Sequence, residues 1–399
     1  MFKKIFKKDE LKLLWPFYLE SLVFGLSAVI MPFFIIYFLD LGLSYFKIAL
    51  LGSVYSFFIF LFEVPTGAFA DGFSRKYSSI IGVFIGSFCA LIIPLSSNYY
   101  YLLGVWALFG IGLTFLSGAK VAWVVDNLKY HDKENLVPEF FIKFTSIAGI
   151  GLVCSPIIGG LIVKYFSMNT LWTFYGCGLF VIGLILLIFT EEHYKPKKLT
   201  LLKTIKGTYN NSKKGFNFIL KHRTILLLTL GGLFSALMMF GGGGWQPFFV
   251  ELTLPTYALG YVYSLLGLLF IFLPFFSKLL MKYKVKNVLT LAVLLEAALL
   301  FALLFLYPPL FIFAIILFLT IQGIGPVLSP ISASFFQKFI PTEIRATVSS
   351  VNSMIGSLIV AVATIMAGYL MDIFGPQRIL AVGGIFGIFA ALTYFKIKD

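Results

Sequence analysis

Long apolar runs, separated by short polar loops, constrain this chain more than any other feature of its sequence. Each run is long enough to cross about 30 Å of hydrocarbon as one helix, because a helix rises about 1.5 Å per residue. Of the 399 residues, 60% are hydrophobic and only 12% are charged, whereas soluble domains carry about 25% charged residues. The pattern therefore predicts an all-α membrane protein that crosses the bilayer many times.

The apolar runs predict twelve transmembrane helices as two groups of six. The first group covers about residues 14–39, 45–66, 77–96, 99–126, 140–165 and 170–190. The second group covers about residues 224–250, 257–279, 287–306, 309–337, 345–372 and 378–395. We therefore predict an N-terminal six-helix half at 1–190, a basic linker at 191–223 and a C-terminal six-helix half at 224–399.

The positions of lysine and arginine predict the orientation in the membrane. Nearly all of them lie in the N-terminus, the even-numbered loops or the C-terminus, and the odd-numbered loops hold only Lys47, Lys164 and Arg378. Because cytoplasmic loops carry an excess of positive charge, we expect both termini and the basic linker to be cytoplasmic. This bias accounts for the net charge of +14. No nucleic-acid-binding motif accompanies it, so no nucleic-acid partner is expected.

Several classes of function lack their signatures in this sequence. There is no G-x-x-x-x-G-K-[ST] phosphate loop, which argues against direct use of ATP. The histidines lie in predicted loops without a nucleophile–base or metal-ligand grouping, and the cysteines lie in apolar segments: His131, His193, His222, Cys89, Cys154 and Cys177. We therefore expect a membrane protein that is not an enzyme and that has no metal site and no cofactor.

One charged stretch interrupts the apolar pattern between predicted helices 2 and 3. It reads FEVPTGAFADGFSRK and runs from Phe62 to Lys76. Its second part resembles the loop signature of the major facilitator superfamily, G-x-L-A-D-R-x-G-R-K, with departures at Phe69, Gly72 and Ser74. The stretches SGAKVAWVVD and PTEIRATVSSVNS resemble the drug-exporter-like bacterial and archaeal branch of that superfamily. The resemblance implies two six-helix halves that open alternately to the two sides of the membrane.

In the superfamily this loop locks the cytoplasmic edge of the two halves together. The resemblance implies that Asp71 faces the positive N-terminus of helix 11, which begins near Arg345, and that Arg75 pairs with Asp126. An ordinary cytoplasmic charge anchor is the alternative interpretation. The predicted cytoplasmic gate comprises Glu63, Gly67, Asp71, Arg75, Lys76, Asp126 and Arg345.

Two ionisable residues fall within helices that line the central cavity of the resembled fold. Glu20 lies near the beginning of helix 1, and Lys120 lies near the inner end of helix 4. Ionisable groups inside spanning helices are costly, and they commonly have a functional role. The pair either holds the N-terminal half together or forms a proton-coupling site in which Lys120 tunes Glu20. Glu296, in the middle of helix 9, has no evident role.

Helix 5 carries the sequence GIGLVCSPIIGG. It resembles the antiporter signature G-x-x-x-G-P-x-x-G-G of the superfamily, with serine in place of one glycine. The matching residues are Gly151, Ser155, Pro156, Gly159 and Gly160. The resemblance implies export in exchange for protons, whereas close packing of small residues is the alternative interpretation.

Polar side chains on the predicted cavity-lining helices are candidates for substrate contacts. They are Ser117, Trp245, Gln246, Gln322, Ser329 and Asn352. The chain also contains 47 phenylalanines and 20 tyrosines. An aromatic cavity would favour a lipophilic or amphipathic substrate.

Three functions remain compatible with the sequence. The first is a secondary active transporter that exports a lipophilic or amphipathic small molecule, driven by the proton gradient. The second is an importer or facilitator of a small metabolite, such as a sugar or an organic acid. The third is a receptor or scaffold that binds a partner through the 191–223 linker. We expect a monomer in the plasma (inner) membrane of a prokaryote.

Overall fold

The computed structural model describes residues 6–193, 213, 215–341 and 344–397. Among these residues every regular element is helical, and twelve helices are long and apolar enough to cross a bilayer. The predicted fold class and number of spans are therefore confirmed. The spans are α1 Glu10–Asp40, α2 Tyr45–Gly72, α3 Arg75–Leu95, α4 Tyr99–Tyr130, α5 Glu134–Tyr165, α6 Asn169–Phe189, α7 Arg223–Glu251, α8 Thr256–Leu280, α9 Val285–Phe305, α10 Phe311–Lys338, α11 Thr347–Phe374 and α12 Pro376–Phe395. The helix of α11 begins at Arg345.

Short polar residues set several of the helix starts. The Ser74 side chain accepts a hydrogen bond from Tyr77 N at 3.0 Å and caps α3. The Asn98 side chain accepts one from Tyr100 N at 2.9 Å and caps α4. Such caps satisfy amide groups that a helix leaves unpaired in its first turn. They allow each of these helices to begin within a few residues of the end of the preceding one.

The residues group into two compact units. The first contains Met1–Phe34 and Leu51–Thr204, and the second contains Ile35–Leu50 and Ile205–Asp399. The end of α1 and the beginning of α2 therefore belong to the second unit rather than to that of their sequence neighbours. The predicted halves and linker remain predictions, and most of the linker lies outside the described residues.

In the first unit α1 packs against α5 and α6, and α3 packs against α4 and α6. Glycines allow the closest of these contacts. A Cβ atom on Gly82 would lie 2.5 Å from the Gly112 carbonyl oxygen. In the same unit, Phe17, Trp123 and Phe140 form the centre of an apolar cluster in which each is at most 2% exposed.

In the second unit α12 packs against α7 and α9. Two glycines of α12 face these neighbours. A Cβ atom on Gly387 would lie 2.8 Å from the Ala297 Cβ of α9, and one on Gly383 would collide with the Met238 carbonyl of α7. Small residues therefore allow helix backbones to approach closely, as is common in membrane bundles.

Candidate functional site

Glu20 and Lys120 meet in the first unit. Lys120 Nζ lies 2.8 Å from Glu20 Oε1, and the residue Glu20 is only 2% exposed. The ammonium group also lies 4.9 Å from the centre of the Phe144 ring. The second carboxylate oxygen of Glu20 is buried and has no hydrogen-bond partner among the described residues. One carboxylate oxygen of Glu20 is therefore paired with Lys120, and the other lacks a hydrogen bond from the described residues. The role of the pair in proton coupling remains a prediction.

A break in α4 places Lys120 at this site. The first helical segment runs from Tyr99 to Leu116, and the second from Ala119 to Tyr130. Gly118, between them, has a φ of 71°, a left-handed conformation that glycine adopts readily. The apolar run at 99–126 predicted a continuous helix. The Ser117-Gly118 dipeptide was the available signal, since Ser-Gly pairs commonly mark turns.

The same break brings Glu63 of α2 to Ser117. The Ser117 hydroxyl donates a hydrogen bond of 2.9 Å to Glu63 Oε1. The sequence analysis assigned Glu63 to the cytoplasmic gate and Ser117 to the substrate cavity. The structure places these two side chains together, close in sequence to Lys120, and both assignments remain predictions.

Arg75 is the centre of the charged group at the end of α2. Its guanidinium contacts Asp126 and donates to Asp71 Oδ1 at 2.9 Å. The expected contact between Arg75 and Asp126 is thus present. Arg345 of the second unit donates to the Ile340 carbonyl oxygen at 3.3 Å. The predicted gate contact between Asp71 and the start of helix 11 remains a prediction.

Glu192 belongs to this charged group, and the sequence analysis did not identify it. Its carboxylate accepts hydrogen bonds from the backbone amides of Arg75 at 2.6 Å and Lys76 at 3.0 Å, and also contacts the Ser74 hydroxyl. An acidic group at a helix N-terminus is favourable, because unpaired amides and the helix dipole both attract it. Glu192 therefore joins the end of α6 to the start of α3.

Gly67, the remaining predicted gate residue, has open space at its Cβ position.

The antiporter-like motif of α5 lies along α1. A Cβ atom on Gly151 would lie 2.6 Å from Gly25 Cα, and one on Gly159 would lie 2.5 Å from the Val29 carbonyl oxygen. Ser155, between them, is 1% exposed. Its hydroxyl lacks a hydrogen-bond partner within the described part of the chain. The other motif residues, Pro156 and Gly160, are also buried. The motif therefore forms a close helix–helix contact.

Two predicted cavity residues are buried in the second unit. Trp245 is 1% exposed, and its ring centre lies 4.8 Å from that of Phe318. Gln246 is 8% exposed and accepts a hydrogen bond of 2.8 Å from Ile35 N. The glycine run before them forms the short 3₁₀ turn Gly242–Gly244. Both side chains are therefore packed among other residues rather than open, and a contact of either with substrate remains a prediction.

The remaining candidates on α10 and α11 are more accessible. Gln322 and Asn352 are half-buried, and Ser329 is exposed. They remain candidates for substrate contacts.

Asp372 of α11 forms a further contact that the sequence analysis missed. Its carboxylate accepts hydrogen bonds from Tyr45 N at 2.8 Å and Phe46 N at 3.0 Å. It therefore caps the beginning of α2. Next to it, a Cβ atom on Gly368 would lie 2.7 Å from the Tyr45 carbonyl oxygen. These contacts hold the beginning of α2 within the second unit.

Comparison with known protein families identifies the chain. The model of the Major Facilitator Superfamily matches residues 17–364. The chain belongs to the major facilitator superfamily. It is therefore a multi-pass membrane transporter of small molecules and not an enzyme. An uncharacterized MFS-type transporter of Bacillus subtilis (strain 168), YxaM, is 25% identical over 398 residues, which cover 96% of both chains.

Two further proteins are similar to this chain, one over a shorter stretch and the other at lower sequence identity. A bicyclomycin resistance protein homolog of Haemophilus influenzae is 29% identical over 180 residues, which cover 44% of this chain and 41% of that protein. The crystal structure of the nucleoside transporter NupG has a TM-score of 0.76 at 15% identity, covering 98% of this chain and 100% of that one. At this identity the structural match supports the superfamily fold alone.

Proposed function

We propose that this superfamily member is a proton-coupled exporter of a lipophilic or amphipathic small molecule, working by alternating access. The observation that carries the proposal is the ion pair of buried Glu20 with half-buried Lys120, in which one carboxylate oxygen has no hydrogen-bond partner among the described residues. Ionisable groups inside spanning helices are costly and commonly belong to proton pathways, so a buried acid with one unpartnered oxygen is a candidate proton carrier. The partial similarity to a drug resistance protein homolog favours export.

The proposed cycle requires Glu20 to exchange a proton between two states. When Glu20 is ionised, the Lys120 ammonium balances its charge across 2.8 Å. When Glu20 takes up a proton, that ion pair is lost and Lys120 is free to move. Because Lys120 lies in the first turn of the second segment of α4, the protonation state can change the position of that segment relative to α1. Substrate and proton would then bind in alternation.

The energy available to such a cycle is sufficient for useful accumulation. One proton moving through a potential of 100 mV supplies about 2.3 kcal/mol. This corresponds to a concentration ratio of roughly fiftyfold, since about 1.4 kcal/mol is tenfold. We propose that the protein acts as a monomer in a prokaryotic plasma membrane with both termini in the cytoplasm.

The proposal is tested in everted membrane vesicles with an acid interior. A panel of lipophilic cations, neutral drugs, sugars and amino acids is added, and dissipation of the proton gradient is recorded. We expect at least one lipophilic compound to release protons with the wild type but not with Glu20→Gln. Glu191→Gln is the matched control, because the Glu191 side chain is 85% exposed.

The other outcomes exclude parts of the proposal. Dissipation that persists in Glu20→Gln would retain proton exchange but remove Glu20 from the coupling site. A wild type without response to the whole panel would contradict proton-coupled export. Measurement of metabolite uptake would then test the importer or facilitator hypothesis.

A further inference from the structure

Glu63 is an exposed carboxylate within a membrane-spanning helix. It lies nine residues before Gly72, the end of α2, and hence about 14 Å along the helix axis from that end. Residues at this depth contact either lipid, other helices or a water-filled cavity. A charged group in contact with lipid is unfavourable, so such groups usually face a polar cavity. The exposure of Glu63 therefore indicates that its face of α2 borders water rather than hydrocarbon.

The neighbours of Glu63 on the same helix face leave room for a molecule. Residues three or four apart lie on one face of a helix. Phe60, three residues earlier, has 76% of its surface exposed. Gly67, four residues later, has no atom within 4 Å of its Cβ position. The face thus combines an exposed aromatic ring, a carboxylate and open space.

The surroundings of Glu63 favour a positive charge. Its carboxylate receives one hydrogen bond, from Ser117, at 2.9 Å. Ser117 lies between the helical segments Tyr99–Leu116 and Ala119–Tyr130, so the partial charges of the two helix ends oppose each other there. Within the described part of the chain, no lysine or arginine lies within 4 Å of the Glu63 carboxylate. The closest basic residue in the sequence of α4, Lys120, is held by Glu20.

We propose that Glu63, together with Ser117, binds the ammonium group of a cationic amphipathic substrate. Phe60 would contact the aromatic or apolar part of the same molecule, since aromatic rings attract both apolar groups and cations. This inference rests on the proposed export function and specifies its substrate class. It also gives a separate role to each acid, with Glu63 binding the substrate and Glu20 the proton.

The test compares two fluorescent probes that differ in one charge. Dansylcadaverine carries a primary ammonium group, and N-acetyl-dansylcadaverine is its neutral amide. Binding of each to the purified, detergent-solubilised protein is measured by fluorescence titration at neutral pH. We expect the wild type to bind the amine at least roughly tenfold more tightly than the amide. Glu63→Gln, which retains the acceptor for Ser117, should abolish that preference while binding the amide unchanged.

Two further variants separate charge from folding. Glu63→Asp retains the carboxylate and should keep a preference for the amine. Glu191→Gln removes an exposed carboxylate and should leave the preference at the wild-type value. Equal affinity of the wild type for both probes would overturn the inference. So would a preference that survives in Glu63→Gln, or the absence of binding of either probe.

This result is independent of proton coupling, because equilibrium binding in detergent requires no gradient. A preference for the amine without proton release in vesicles would support the Glu63 site and contradict the proposed coupling. Proton release without a preference for the amine would support the proposed coupling and contradict the Glu63 site.

Discussion

The contact between α1 and α5 allows one substitution to be predicted in magnitude. In Gly151→Ala the new methyl group would lie 2.6 Å from three backbone atoms, Gly25 Cα, Gly25 C and Leu26 N. These atoms belong to a helix backbone and cannot move aside as the end of a long side chain can. Added volume in a packed contact costs about 1–3 kcal/mol. We expect Gly151→Ala to lose about 2 kcal/mol, a decrease of roughly thirtyfold in the folded-to-unfolded ratio.

A neighbouring glycine provides the matched control. Gly149 lies two residues earlier on the same helix, and no atom lies within 4 Å of its Cβ position. Gly149→Ala should therefore be neutral or slightly stabilising, because alanine favours a helix by about 1 kcal/mol over glycine. The midpoint of thermal unfolding of the detergent-solubilised proteins, followed by tryptophan fluorescence, compares the two variants. Equal midpoints would refute the assignment of the antiporter-like motif to close helix packing.

Three other contacts lead to predictions. Asp372→Ala removes the cap of α2 and should cost about 0.5–2 kcal/mol; hydrogen exchange of a peptide from residues 35–50 should become faster, and unchanged exchange would contradict the cap. Glu192→Gln weakens two hydrogen bonds to the start of α3 and should lower the thermal midpoint, whereas a midpoint equal to that of the wild type would exclude a stabilising role. The hydrogen bond from Lys133 lowers the pKa of Asp9 below its ordinary value of 3.8. Because the folded pKa is depressed, this stabilisation is present above pH 3.8 and is lost at lower pH. Asp9→Asn should therefore lower the midpoint at neutral pH but not at a pH below the folded pKa, and an equal decrease at both pH values would contradict this assignment.

Local sequence properties were sufficient to predict the number of spans and their approximate bounds. A spanning helix must satisfy its backbone groups internally and present apolar side chains to lipid, so each span leaves a continuous apolar run. The pairing of Arg75 with Asp126 was also expected, but from the resemblance to the superfamily rather than from physical reasoning about the residues. The possible contact of Glu20 with Lys120 was expected because both lie at similar depth on helices that line the cavity of the resembled fold.

Contacts between residues distant in sequence could not be predicted in the same way. Glu63 and Ser117 are 54 residues apart, and Asp372 and Tyr45 are 327 apart. Whether such residues contact each other depends on how the helices pack, and no local sequence pattern determines that packing. The break in α4 was missed because an apolar average over the whole span conceals a single glycine in a left-handed conformation. The burial of Trp245 was missed because the rotation of a helix after a glycine run depends on its neighbours.

Release of protons on substrate binding tests the role of Glu20 most directly. The purified protein is placed in weakly buffered detergent solution with a pH indicator, and the most active compound of the vesicle panel is added. Our account predicts that the compound releases protons from the wild type, since substrate and proton bind in alternation, and none from Glu20→Gln. Release of the same amount from Glu20→Gln, or none from a wild type that binds the compound, would contradict it.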